Sequence, residues 1–138
     1  MDAEQNQGAT SQDPRGQYDD PLLDSLLALC ELHQKPASRA MLTSGLPLPA
    51  QRLTVDLLPR AAARVGLQGR LLRRKLEQIP AIAMPALLLL KDGRSALLLG
   101  WTEQGQARLR LSESEGGEAR IERETLAGDY AGEAFFAQ

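Results

Sequence analysis

The residues best suited to chemistry lie in one short segment, DPLLDSLLALCELHQK at residues 20–35. It contains Ser25, together with Cys30 and His33, which are the only cysteine and the only histidine of the chain. A serine or a cysteine becomes an effective nucleophile when an adjacent general base removes its proton. The first question is therefore whether His33 can act as the base for either residue.

Ser25 lies too far from His33 for such a pair if the segment is helical. The two residues are eight positions apart, which is about 12 Å along a helix that rises about 1.5 Å per residue. A pair between Ser25 and a lysine remains open, and the lysines concerned are Lys35, Lys75 and Lys91. Nothing in the sequence specifies one of them, so the favoured interpretation of Ser25 is a small residue packed near a helix start.

Cys30 and His33 are three residues apart and so lie on the same face of a helix. A zinc site needs three or four protein ligands, and the chain has no further cysteine or histidine to supply them. A catalytic thiol is normally exposed and has an orienting third group. The favoured interpretation is a buried Cys30 in the core and a His33 at the helix C-terminus, where a cation is stabilised. No metal site and no cofactor are predicted.

The composition limits the possible functions. The chain has 138 residues, of which 43% are apolar and 25% are charged, which is typical of one soluble domain. A net charge of -2 gives no electrostatic case for nucleic acid. The longest apolar run, residues 81–90, is too short to span a bilayer and is interrupted by Pro85. One cysteine forms no intrachain disulfide, which indicates a reducing compartment.

The first part of the chain divides into a leader and a helix. Residues 1–18 contain no Leu, Ile, Val, Phe or Trp, so we predict a disordered leader followed by one folded domain at residues 19–138. Asp20 is a good N-cap and Pro21 suits the first helical position. The first helix is expected to end before Pro36.

Two further helices are predicted before the sheet begins. One starts at the Ser38 cap and stops at Gly45. The next starts at the Thr54 cap and stops at Gly66, with Pro59 placed where it could kink the helix.

The remaining residues predict an antiparallel sheet. The strongest signal is ALLLLKDGRSALLLGW at residues 86–101, in which two apolar runs flank Asp92-Gly93, a pair that favours a type I′ hairpin. Other predicted elements are strands at residues 67–74, 107–112, 118–122 and 131–138, a helical turn at 76–80 and a short helix at 124–130. Helices followed by an antiparallel sheet indicate an α+β fold.

This order of elements, with its local motifs, resembles the C39 peptidase family, which forms the N-terminal domain of bacterial ABC exporters. The motifs are DDPLLDSLLALCELHQKPAS at 19–38, LTVDLLPRAAARVGLQGRLLRR at 53–74, PALLLLKDGRSALLLG at 85–100 and ETLAGDYAGEAFF at 124–136. The resemblance is greater to the degenerate, peptidase-like form in type I secretion transporters for RTX adhesins and haemolysin-type toxins. It covers residues 19–138 and implies a papain-like fold.

At the positions that match the catalytic residues of the family, this chain has residues of other types. The cysteine nucleophile of these peptidases lies in an Asp-Cys pair, which matches Asp24 and Ser25. Their oxyanion-hole glutamine matches Asp19. Their histidine matches Ser95, or Arg94 if the register shifts by one residue.

The orienting aspartate of the family matches Ser112 or Glu113. All four positions are thus substituted, and the resemblance implies a domain without catalytic activity that recognises an unfolded RTX-type export substrate. The residues predicted to contact that substrate are Ser25, Ser95, Leu97 and Trp101. A residual hydrolase that uses Ser25 or Cys30 and a purely structural assembly domain remain the alternatives.

The resemblance also implies the surroundings of the domain. We expect it at the cytoplasmic side of the bacterial inner membrane, next to the transmembrane and ATP-binding domains of the same transporter. No nucleic acid, no membrane insertion by this segment and no cofactor in this domain are expected.

Basic residues are concentrated from the third predicted helix to the end of the first predicted strand. The C-terminal part of the chain is acidic by contrast. A solvated face is the favoured interpretation, and the alternative is a docking patch, either for an acidic partner or for the cytoplasmic parts of the transporter. The basic residues are Arg60, Arg64, Arg70, Arg73, Arg74 and Lys75.

Overall fold

The structure is a computed structural model that describes residues 20–49, 52–111 and 117–138. The predicted leader and the positions Asp19, Ser112 and Glu113 lie outside the described residues. The described helices are α1 (Pro21–Leu32), α2 (Arg39–Thr43), α3 (Leu58–Ala63) and α4 (Arg123–Asp129). The strands are β1 (Gly69–Arg73), β2 (Ala86–Leu90), β3 (Ser95–Trp101), β4 (Ala107–Leu111), β5 (Glu118–Ile121) and β6 (Tyr130–Ala137).

The buried Asp20 carboxylate fixes the start of α1. Its Oδ1 accepts a hydrogen bond from the Leu23 backbone N–H at 3.3 Å, as an N-cap does. Its Oδ2 accepts a second hydrogen bond from the backbone N–H of Leu53 at 2.9 Å, 33 residues further along the chain. The predicted cap is thus confirmed, and the same side chain holds the segment that leads to α3 against α1.

The next two helix starts differ in how well the sequence predicted them. Ser38 caps α2 as expected, because its hydroxyl accepts a hydrogen bond from the Met41 N–H at 3.1 Å. The Thr54 prediction is wrong in part: its side chain makes no capping hydrogen bond, and a 3₁₀ turn at Val55–Leu57 comes before α3. Pro59 therefore falls in the first turn of α3, where a missing N–H is tolerated and causes no kink.

All strand pairs of the six-stranded sheet are antiparallel, in the spatial order β1-β6-β2-β3-β4-β5. This confirms the α+β prediction. The β2–β3 hairpin turns at Asp92 and Gly93, whose φ angles of 63° and 74° are both positive, as a type I′ turn requires. Strands β1 and β5 form the two edges of the sheet.

Each face of the sheet buries its own apolar cluster, because successive side chains of a strand point to opposite faces. On the first face, α1 and α3 pack against Leu87, Leu97 and Phe135. On the second face, Leu88 and Leu98 pack with residues of β4, with α4 and with the 3₁₀ turn that follows β1. Ser25 of α1 and Ser95 of β3 also meet on the first face.

Gly69 gives a direct test of the packing between β1 and β6. A Cβ atom at Gly69 would overlap the ring of the fully buried Phe135. We therefore expect Gly69→Ala to lower the free energy of unfolding by about 1–3 kcal/mol, as overpacking does.

The matched control is Gly128→Ala in α4, where an added Cβ meets no atom within 4 Å. This variant should be neutral or more stable by about 0.4–1 kcal/mol, since alanine reduces the entropy of the unfolded chain. Urea unfolding measures both. Equal stability of the two variants would contradict the packing described here.

Candidate functional site

Two buried serines meet where α1 crosses the start of β3. The Ser25 and Ser95 hydroxyl oxygens lie 2.7 Å apart, which is a hydrogen bond between residues 70 positions apart in the chain. The Ser95 hydroxyl also donates a longer hydrogen bond to the Pro21 carbonyl at 3.4 Å. Because a hydroxyl has one proton to donate, Ser25 donates to Ser95 when Ser95 donates to Pro21.

The positions of Ser25 in α1 and of Ser95 in β3 bring the two hydroxyls together. Ser25 lies on the side of α1 that also buries Leu22, Leu26 and Leu29, so its side chain faces the sheet. Ser95 is the first residue of β3, directly after the type I′ turn. Both serines are only 2% exposed. A buried hydroxyl needs a hydrogen-bond partner, and each serine provides that partner for the other.

The serine pair has no adjacent general base among the described residues. Its hydrogen-bonding partners are a hydroxyl and a backbone carbonyl, and neither takes up a proton near neutral pH. His33 is at the opposite end of α1, where it is the C-cap residue. Within the described ranges, its Nε2 atom is buried and has no hydrogen-bond partner.

Cys30 is a core residue, as the sequence predicted. It is fully buried, and this burial raises the pKa of its thiol above the ordinary value, against a smaller opposing effect of a backbone hydrogen bond. A raised pKa keeps the thiol protonated and unreactive. The described part of the chain contains no cluster of His, Cys, Asp or Glu that could hold a metal ion.

The other two predicted contact residues are not beside an open cleft. Leu97 is fully buried in the cluster under α1, so it offers no surface to a substrate. Trp101 lies on the opposite face of the sheet, where Arg123 stacks 4.2 Å from the ring centroid. Trp101 is thus separated from the serine pair by the sheet, and its predicted contact with a substrate stays a prediction.

A β-bulge explains the position of Trp101. The register between β3 and β4 shifts between Leu98 and Gly100, which adds one residue to β3 and reverses the alternation that follows. Gly100, a glycine inside a strand pattern, was the sequence signal that could have revealed it.

An open cavity of about 320 Å³ lies next to the serine pair. It is lined by Pro21, whose carbonyl accepts from Ser95, and by Arg94, which precedes Ser95. Arg94 forms an ion pair with Asp129, and Arg52 lines the same cavity. Sequence reasoning did not identify Arg52 or the Pro21 carbonyl, because only the tertiary fold brings them to this point.

A comparison with solved structures decides the family. The chain is 36% identical to the N-terminal peptidase C39-like domain of the toxin secretion ATP-binding protein from Vibrio parahaemolyticus. The match has a TM-score of 0.82 and covers 87% of this chain and 97% of that one. The chain belongs to the peptidase C39-like domain family.

More distant structures share the fold of this C39-like domain. The peptidase domain of Streptococcus ComA, a bifunctional ABC transporter involved in quorum sensing, is 16% identical, with a TM-score of 0.72 over 86% of this chain and 90% of that one. A double glycine motif protease from an AMS/PCAT transporter, solved with its leader peptide, is 14% identical, with a TM-score of 0.69 over 86% and 83%. No protein-family model and no curated protein sequence matches the chain.

No described helix of the C39-like domain has the length and apolar character needed to cross a membrane. The positions that the sequence resemblance matched to the family's nucleophile and histidine are held here by two serines in direct contact.

The serine pair should behave as one energetic unit. Replacing either serine by alanine leaves the other hydroxyl buried without its partner, so Ser25→Ala and Ser95→Ala should each cost about 1–3 kcal/mol of stability. The double variant should cost less than the sum of the two by about 1 kcal/mol. A urea-unfolding cycle measures this coupling, and strictly additive losses would contradict the contact.

Cys30 should react slowly with thiol reagents in the native domain. Its burial and raised thiol pKa leave modification dependent on local opening, so labelling at pH 8 should be slower than in urea by on the order of tenfold or more. Absorbance after addition of an aromatic disulfide reagent follows the reaction. Equal rates in buffer and in urea would show an accessible thiol.

Proposed function

We propose that this C39-like domain binds an unfolded export substrate without cleaving it, as the N-terminal docking domain of a type I secretion ABC transporter. The observation that carries the proposal is the buried hydrogen bond between Ser25 and Ser95, at the positions matched to the catalytic cysteine and histidine. The relationship to a domain of a toxin secretion ATP-binding protein supports the link to secretion.

The chemistry of the serine pair argues against hydrolysis. A serine hydroxyl is a weak nucleophile without a base beside it, and the Ser95 hydroxyl cannot fill that role. The serines are also only 2% exposed, so a substrate carbonyl has no path to the Ser25 oxygen in this conformation. Lys35, Lys75 and Lys91 are exposed, and none forms a hydrogen bond to either serine within the described ranges.

The proposed substrate is an RTX-type protein whose calcium-binding repeats are unfolded before export. Such repeats are rich in Gly and Asp and would reach the domain as an extended, acidic chain. Ordering a flexible chain has an entropic cost, so moderate affinity is expected. The transmembrane and ATP-binding domains of the proposed transporter would follow this domain, which itself needs no cofactor for binding and would lie at the cytoplasmic side of the inner membrane.

A nuclear magnetic resonance titration tests the proposal. The ¹⁵N-labelled domain is mixed with a repeat segment of an RTX-type protein, held unfolded by chelation of calcium. Localised shifts of the domain signals should appear and then disappear when calcium is added back, because the ligand folds and is no longer available. The control is the domain with and without calcium in the absence of ligand.

No shifts at a large excess of ligand would overturn the proposed binding. An assembly role, in which the domain positions the exporter without contact to the substrate, would then be the better explanation.

A further inference from the structure

Strand β1 forms one edge of the sheet and, among the strands of the described residues, pairs with β6 alone. Gln68 and Gln138 exchange both of their backbone hydrogen bonds at 2.9 Å, and Arg74 donates to Gly132 at 3.2 Å. In an antiparallel pair, hydrogen-bonded and non-hydrogen-bonded residues alternate. Residues 68, 70, 72 and 74 therefore direct their backbone groups toward β6.

The intervening residues Gly69, Leu71 and Arg73 direct their backbone groups away from the sheet. Only the Arg73 carbonyl has a partner among the described residues, since the Arg74 guanidinium donates to it at 2.8 Å. The N–H and C=O groups of Gly69 and Leu71 and the N–H of Arg73 remain available. Such an edge can accept another strand by main-chain hydrogen bonds.

An apolar groove runs beside this edge on the second face of the sheet. A cavity of about 670 Å³ is lined by the side chains of Leu72, Phe136 and Ile82, with Arg70 at its margin. Ile82 is 94% exposed, which is the largest exposure among the large apolar side chains of the described residues. A second cavity of about 430 Å³ is lined by the last residue of β1 and the residues that follow it, from position 73 to position 78.

The end of β1 and the residues just after it carry positive charge that no ion pair neutralises within the described ranges. Arg70, Arg73, Arg74 and Lys75 are all exposed, and none is in an ion pair within the described ranges. By contrast, Arg39, Arg94, Arg108 and Arg110 each pair with a carboxylate. Two acidic side chains lie close to these basic residues: Glu77 lines the smaller cavity, and Glu133 is opposite Arg73 in the sheet register.

We propose that the free edge of β1 binds an extended acidic peptide segment as an additional strand. The segment carries a carboxylate and a large apolar side chain two residues apart. Residues two apart in a strand point to the same face, as Arg70 and Leu72 do here. The carboxylate then meets Arg70 while the apolar side chain enters the groove beside Leu72 and Ile82. This inference rests on the proposed function, since the unfolded export substrate would supply the segment.

Charge argues against a second copy of the chain as the occupant. Pairing two β1 strands edge to edge would bring the arginines of both copies together, and like charges on adjacent strands are destabilising. An acidic segment instead neutralises Arg70, Arg73, Arg74 and Lys75. The binding should therefore weaken as salt concentration rises.

The test uses two synthetic peptides of about twelve residues, each with three full repeats of four residues, a length that covers β1 with room at both ends. The first repeats Asp-Thr-Leu-Thr, so that Asp and Leu share a face of the extended chain. The control repeats Asp-Leu-Thr-Thr, which has the same composition and charge but places Asp and Leu on opposite faces. A third peptide has the first sequence with N-methyl groups on alternate residues, which removes main-chain donors.

Binding of each peptide to the ¹⁵N-labelled domain is followed by nuclear magnetic resonance. The first peptide should shift the signals of Gly69, Leu71 and Arg73 and slow the exchange of their amide protons. The control and N-methylated peptides should bind about tenfold more weakly or worse, because each loses one class of contact. Equal affinity of all three peptides would show nonspecific charge attraction and overturn the proposal.

Variants of the domain locate the surface independently. Arg70→Glu with Arg74→Glu should weaken binding of the first peptide about tenfold, and Ile82→Ser should weaken it without a change in net charge. The matched control is Arg60→Glu in α3 with Arg64→Glu at its C-cap. It makes the same change in charge on the opposite face of the sheet from the groove and should leave the affinity within about twofold. A loss of affinity in the control as large as that in the groove variants would contradict the assigned surface.

Failure of this inference can be told apart from failure of the proposed function. If the calcium-free repeat segment binds the domain but shifts signals only near Ser25, Ser95 and Arg94, the edge proposal is wrong and substrate binding stands. If the first peptide binds at β1 and the repeat segment does not bind at all, the edge is a peptide site and the proposed substrate is wrong. A dimer joined through β1 in sedimentation analysis would also overturn the edge proposal.

Discussion

The packing of α1 against the first face of the sheet is the interaction on which the rest of the structure depends. The apolar side of α1 covers Leu87, Leu97 and Phe135, and the Asp20 carboxylate ties the start of the helix to the segment before α3. A polar side chain buried between α1 and the sheet must therefore form its hydrogen bonds with other buried groups. The hydrogen bond between Ser25 and Ser95 follows from that requirement, and so does its isolation from solvent.

This constraint separates the serine pair from the exposed edge of the sheet. A catalytic pair needs an open cleft and a base, whereas the serine pair is closed off by Pro21 and by the packing of α1. The β1 edge has the opposite properties: exposed main-chain groups, an apolar groove and unneutralised arginines. In the proposed edge binding, recognition therefore takes place at the edge of the sheet and not at the position matched to the family's nucleophile.

Local patterns in the sequence predicted a large part of the fold. The Asp20 and Ser38 caps, the Asp92-Gly93 turn and the α+β class all follow from short-range rules, because the residues concerned act on their immediate neighbours. The resemblance to the C39 family then paired Ser25 with Ser95, which no short-range rule could do. The helix start predicted at Thr54 was wrong in part because a 3₁₀ turn at Val55–Leu57 comes before α3, and the face on which Trp101 lies depends on a β-bulge in β3.

The β1 edge could not be predicted at all from local patterns. Residues 67–74 predict a strand, but the position of that strand at the edge depends on its pairing with β6, which ends the chain. The orientation of the Gly69 and Leu71 backbone groups depends on the register of that same pairing. Basic residues were visible in the sequence, and their lack of ion-pair partners within the described ranges became apparent only in three dimensions.

The most direct test of binding without cleavage is intact-mass spectrometry of a calcium-free repeat segment kept in complex with the domain. The segment is incubated at a concentration at which the titration shows it to be bound, and its mass is followed over a day or more. We expect the full-length mass to persist without fragments. Fragments that accumulate in proportion to the domain concentration, and that are absent with Ser25→Ala or with Cys30→Ala, would show that the domain is a working peptidase.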